Sequence, residues 1–233
     1  EKVADERFAR SVEMLGNDAD QVRMGAMHAM EWLAKSTPRY RQTVLDILCA
    51  YLRRPFEHKA HEARAGDPDQ AFVEDRSEVL QEQPVRLTAQ RLIKDLLSWG
   101  EKTEHEHYNI DLTGAVLEYF SVDGRHLNRF VARRAQFYVI TNLRNVHVQK
   151  PSLFSGATFH GRVDLTNGNF AGGISFQETT FLGRVDLGAT VGTFLLPSPQ
   201  IPADLGGELN VLPGTAFREP MPGWPLTGST EAA

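Results

Sequence analysis

Cysteine is nearly missing from this chain of 233 residues. Cys49 stands alone, which excludes an internal disulfide and suits a reducing, cytoplasmic setting. Its neighbours in "DILCAYL" are mostly apolar, so it reads as a small core residue rather than a nucleophile. Long hydrophobic runs are also lacking. No stretch approaches the roughly 20 apolar residues of a membrane helix, so no membrane insertion is expected. The opening "EKVADERFARSVEML" is charged and helical in pattern, unlike a secretory leader. No glycine-rich loop has the strand, helix and lysine that would cradle a phosphate. No Ser–His–Asp or Cys–His set can be assembled, and no pair of carboxylates has an evident desolvated cleft. The expectation is a non-enzymatic chain with no catalytic residues, no cofactor and no bound metal.

Strong charge is missing as well. The formal net charge is -5, and it is unevenly spread. Residues 108–196 carry eight Lys or Arg against six Asp or Glu, whereas the flanking segments are acidic. A sequence pI near 5.9, with no aromatic row alternating with basic residues, disfavours a nucleic-acid partner.

What is present divides into three parts. Residues 1–107 read as helical. Phe8, Val12 and Leu15 share one helical face, and Gly16 ends that run. A second helix starts near Asp18 or Asp20 and places Val22, Ala26, Ala29, Met30 and Leu33 on a stripe. A third begins at Ser36 or Thr37 with Pro38 in its first turn, and continues through Val44, Leu48, Tyr51 and Leu52. A fourth is expected over "VRLTAQRLIKDLLSW", with Val85, Ala89, Leu92, Ile93 and Leu96 inward and Gly100 as its stop. Between the last two, Pro55 to Pro84 reads as a polar loop. The Asp20–Leu33 pattern resembles half of a HEAT-like helical pair, which must pack on something else to bury its second face.

From residue 108 the pattern changes. Bulky apolar residues recur every five: Leu112, Leu117, Val122, Leu127, with Ala132 in one slot, then Phe137. The spacing then alternates six and five through Leu143, Val148, Phe154, Phe159, Leu165, Phe170, Phe176, Phe181 and Leu187. Two residues before each lies a smaller or β-branched residue, on the same face of an extended segment. An 11-residue period also suits right-handed supercoils of helices, but the repeated Gly with Phe, Val and Thr argues for strand and turn. Four faces of five residues, with one residue added on alternate faces, give a coil of 22. That interval is why "GRVDL" occurs at Gly161–Leu165 and again at Gly183–Leu187. Val163 and Leu165 are then expected to point inward. Arg162, Asp164, Arg184 and Asp186 are expected to form an outward row open to water, a candidate interaction surface.

"IDLTGAVLEYF" and "SGATFHG", with a central Leu or Phe every five residues and Ala two before it, resemble the pentapeptide-repeat proteins. The resemblance covers about residues 108–195, and the helical front is similar to the segment preceding such repeats in many actinobacterial members. It implies an α+β chain: a right-handed quadrilateral β-helix over 108–196, capped by the helical segment. It further implies a non-enzymatic interaction protein whose partner is a protein of unstated identity. An alternative implied by some members is a DNA mimic that modulates or protects a type II topoisomerase such as DNA gyrase. The positive balance of 108–196 argues against mimicry. Arg125 in a small-residue slot and Ala132 in a bulky one depart from the family pattern.

Residues 197–233 hold seven of the 12 prolines, and the five-residue register is expected to end there in a loose tail or irregular cap. Phe217 and Trp224 are candidates to cover the last coil, and an end-to-end homodimer through the solenoid edge is a further possibility. Among the histidines, His58 with His61 and His105 with His107 are expected on solvated loops. His126, His147 and His160 are expected to point outward from the repeat, and His28 to be partly buried beside a helical stripe.

Overall fold

The computed structural model describes residues 2–56, 77–100, 106–195, 209–210 and 226–227. Four helices come first: α1 (Lys2–Met14), α2 (Asp20–Ser36), α3 (Arg41–Leu52) and α4 (Ser77–Leu96). Thr37 precedes a single 3-10 turn, Pro38–Tyr40, which places the proline in a first turn as expected. The inward stripes form largely as the periodicity requires. Ala26, Met30, Leu33, Val44, Leu48, Tyr51, Leu52, Val85, Ala89, Leu92, Ile93 and Leu96 are all buried. Phe8 and Val22 are only half-buried and Val12 and Ala29 are exposed, since α1 is the outermost helix and packs mainly on α2.

Two local expectations are corrected. α4 starts at Ser77, well before Val85, and carries Pro84 inside it, where a proline removes one intrahelical hydrogen bond. The polar loop therefore ends earlier than its composition implies; residues 57–76 lie outside the described residues. Ser98–Trp99, expected at the helix end, is instead a short strand. It pairs antiparallel with Arg125–Val131, Ser98 opposite His126.

Residues 108–192 wind into a β-solenoid of about four turns, every coil-to-coil pairing parallel. Leu117 lies opposite Phe137, Phe137 opposite Phe159, and Phe159 opposite Phe181. The intervals in that column are 20 residues and then 22, so the coil widens after Phe137 as the spacing predicts. Phe137 and Phe159 stack with centroids 4.5 Å apart and planes 10° apart; Phe159 and Phe181 repeat this at 5.1 Å and 6°. Each such pair contributes about 0.5–1.5 kcal/mol beyond the area it buries.

Widening requires room where the extra residue enters. On one face that residue forms the column Val139, Gly161, Gly183. Val139 has φ +64°, and a Cβ built on Gly161 would meet the Val139 carbonyl oxygen at 1.5 Å. On another face a Cβ on Gly172 would meet the Lys150 carbonyl carbon at 2.3 Å. The glycine that opens each "GRVDL" is thus a close-approach residue, not a spacer.

The irregular slots also have causes. Ala132 is fully buried, and Phe130 supplies the bulk it lacks, its ring 4.8 Å from that of Phe154. Arg125 lies where the helices meet the solenoid: it donates to the Leu97 carbonyl at 3.3 Å and faces Asp95 at 4.0 Å.

The helices close the first coil. One apolar core runs unbroken from Leu15 through α2, α3 and α4 into the Phe column. The Gln42 amide donates to the Asn109 carbonyl at 3.0 Å and accepts from its N–H at 2.8 Å, standing in for a missing strand. Arg86, 3% exposed, donates to the carbonyls of Leu52 and Val116, joining the end of α3 to the first coil. At the far end, Leu209–Asn210 pairs with Val185–Asp186, and Leu226–Thr227 pairs with Leu209–Asn210. The register expected to end before residue 197 therefore resumes in two short pieces of the proline-rich segment. Phe217 and Trp224 lie outside the described residues.

Candidate interaction surface

The Arg–Asp row is built on two two-residue strands, Val163–Asp164 and Val185–Asp186, with Asp164 directly opposite Asp186 and Asn142 opposite Asp164. Val163 and Leu165 point into the core as expected. The carboxylates are not open to water. Asp164 is 8% exposed and Asp186 is 5% exposed. Each Asp immediately precedes a core leucine at a corner, and the short side chain of Asp164 folds back along its own backbone. The Oδ1 of Asp164 accepts the Thr166 N–H at 3.0 Å, and Asn142 accepts the Arg144 N–H at 3.1 Å in the coil below.

Guanidinium groups cover the row. Arg162 donates to Asp186 through Nε and Nη2, both at 2.7 Å, and its Nη2 lies 3.6 Å from Asp164. Arg184 donates to the other oxygen of Asp186 at 2.6 Å. Arg144 approaches Asp164 at 3.9 Å. Two stacked carboxylates are thus held beneath three arginines whose side chains are each nearly half exposed. The repulsion between the carboxylates is offset by charge-assisted hydrogen bonds from the coil beneath and from their own strand. What faces outward is cationic edge and methylene stem. Sequence reasoning placed the four residues together but missed that only the arginines face solvent. The signal available was the position of Asp just before a corner, where it serves the turn.

A second row was legible only as scattered histidines. His126 and His147 lie opposite each other and stack at 4.7 Å, with 14° between the rings. His107 meets His126 edge-on at 6.1 Å, and the Gln149 amide lies 3.1 Å from His107 Nε2. His126 donates to the Gly100 carbonyl at 3.0 Å. On another face His160 stacks on Tyr138 at 4.2 Å. The interval of 21 residues between His126 and His147 was the available signal. His28, expected to be partly buried, is exposed between Glu31 and Arg91, since the apolar stripe of α2 turns away from it. His58, His61 and His105 lie outside the described residues.

Cys49 is buried, and that burial pushes its thiol up to about 12, so it is held as a protonated core residue. Among the described residues no cluster of three or more His, Cys, Asp or Glu has the arrangement of a metal site. Among them, too, no helix is long and apolar enough to cross a membrane.

A family model for pentapeptide repeats, counting 9 copies, matches residues 132–191. No curated protein and no solved structure matches the chain. The matched segment begins at Ala132, the slot where Phe130 supplies the bulk, and spans the coils of 22 residues.

Proposed function

We infer, from a pentapeptide-repeat solenoid closed by helices, that this chain is a non-enzymatic scaffold for protein interaction. The observation that carries the reading is the continuous core. It fixes the solenoid faces and the helical layer as one body and leaves rows of side chains at coil-to-coil spacing as the variable surface. Such rows suit broad, shallow contacts with a protein. The arginine edge of Arg162 and Arg184, held by Asp164 and Asp186, is one such row. The one thiol is committed to packing, and the Asp164 and Asp186 carboxylates to arginine pairs, which supports a scaffold over an enzyme. The single buried cysteine favours a cytoplasmic setting.

The topoisomerase alternative draws less support, because mimicry of duplex DNA requires exposed negative charge, and this row covers its carboxylates with arginines. Affinity capture from the native cell with the intact chain and with an Arg162→Glu/Arg184→Glu variant tests the scaffold reading. One protein partner, retained by the intact chain and depleted by the variant, is the expected result. Capture of no protein by either chain contradicts the reading. Protection or inhibition of gyrase supercoiling by the purified chain would move the conclusion to the alternative.

A further inference from the structure

The outer edge of the helical layer carries an open apolar groove of about 320 Å³ between α1 and α2. Met14, Ala29, Trp32 and Leu33 line it, with Arg7 and Arg10 on the α1 lip. Of the eight large apolar side chains exposed among the described residues, Val3, Val12, Met14 and Trp32 all belong to α1 and α2. Trp32 is 62% exposed. One such residue alone is ordinary, but Met14 and Trp32 meet in this one groove, an apolar surface of the kind that marks contact sites.

We propose that this groove seats an amphipathic helix of a protein partner, with Trp32 as the apolar anchor and Arg7 and Arg10 pairing carboxylates along one edge of that helix. The proposal deepens the scaffold reading and rests on it. Three features select this occupant. A groove between two packed helices offers the ridges into which a third helix settles. On α2, Gly25 precedes Ala29 by one turn, and a Cβ built on Gly25 meets nothing within 4 Å, so an approaching backbone finds space beside the Trp ring. Arg7 and Arg10 are also one turn apart, and neither has a carboxylate partner among the described residues, although neighbouring cations are paired: Arg39 with Asp5, Lys35 with Glu31. An apolar floor beside two unpaired guanidinium groups complements a helix that is apolar on one face and acidic on its flank. Trp and Arg are also the residue types that carry most binding energy at interfaces.

Fluorescence anisotropy with the full chain and two labelled helical peptides tests this. Both peptides share a Leu/Ala face; one carries Glu along the flank and the other Lys. The Glu peptide is expected to bind at least tenfold tighter than the Lys peptide, and more weakly as salt rises. Trp32→Ala should weaken it at least tenfold while leaving the melting temperature unchanged, since the side chain is exposed. Arg7→Glu/Arg10→Glu should reverse the preference between the peptides. Binding of neither peptide, or binding indifferent to Trp32→Ala, overturns the groove. Self-association of the chain that disappears in Trp32→Ala also overturns it, because the groove then serves a second copy. If Arg162→Glu/Arg184→Glu abolishes capture of a partner while the groove variants do not, the groove falls and the scaffold reading stands.

Discussion

At the scale of single residues, the structure turns on positions whose role differs from their outward appearance in the sequence. Gly161 is the sharpest case. An added methyl there collides with the Val139 carbonyl, whereas one on Gly16 lies 3.5 Å from the Glu13 carbonyl, an ordinary contact. Gly161→Ala is therefore expected to cost about 3–5 kcal/mol in urea unfolding, and Gly16→Ala within about 0.5 kcal/mol. Burial also sets a pH response. It pushes the Cys49 thiol up to about 12 from an ordinary 9.0. The Tyr51 hydroxyl rises to about 12 from 10.0 through burial first and then its hydrogen bond to Glu82. Burial, with the nearby Glu118 charge, does the same for Tyr138. The unfolded chain loses these protons first while the native chain keeps them, so native protein binds more protons and stability falls as pH rises between about 9 and 12. Melting temperatures measured from pH 8 upward should decline across that window; a flat profile would contradict the burial of these groups.

At the scale of elements, the joint between helices and solenoid depends on one buried cation. Desolvation holds the Arg86 guanidinium below its usual range, and the side chain persists there by donating to two carbonyls and lying 4.6 Å from the Phe56 ring centre. Arg86→Met strands both carbonyls and is expected to cost about 3 kcal/mol, whereas Arg86→Lys, with fewer donors, should lose part of that. Equal stability of Arg86→Met and the parent chain would show that the joint does not depend on it. The coils were legible in advance because a core residue every five or six positions leaves few alternatives once glycine and β-branched residues exclude helix. The start of α4 was not, since a polar stretch interrupted by Pro84 carries a stop signal that tertiary packing overrides. Nor was strand Ser98–Trp99, because two residues have no period. Asp164 and Asp186 misled for another reason: alternation assigns them to the outer face, but it carries no sign that Arg144, Arg162 and Arg184 lie over them.

At the scale of the whole molecule, helices and solenoid share one continuous core. Its Phe column fixes the spacing of every outward row, and its helical layer both covers the first coil and adds a groove of its own. Of the two departures from the repeat, Arg125 falls at the joint, where the solenoid answers to the helices, and Ala132 is compensated inside the solenoid by Phe130. The coil-to-coil register is the central claim, and the buried Cys49 leaves it open to a direct chemical test. Thr158 and Thr180 lie opposite each other on adjacent coils, whereas Gln177 is displaced from Thr180 by three positions along the chain. Under mild oxidation, mass spectrometry of the Thr158→Cys/Thr180→Cys variant should show a rapid intramolecular disulfide, and the Thr158→Cys/Gln177→Cys variant should show little. Efficient bridging of the offset pair, or failure of the opposed pair, would contradict the 22-residue coil.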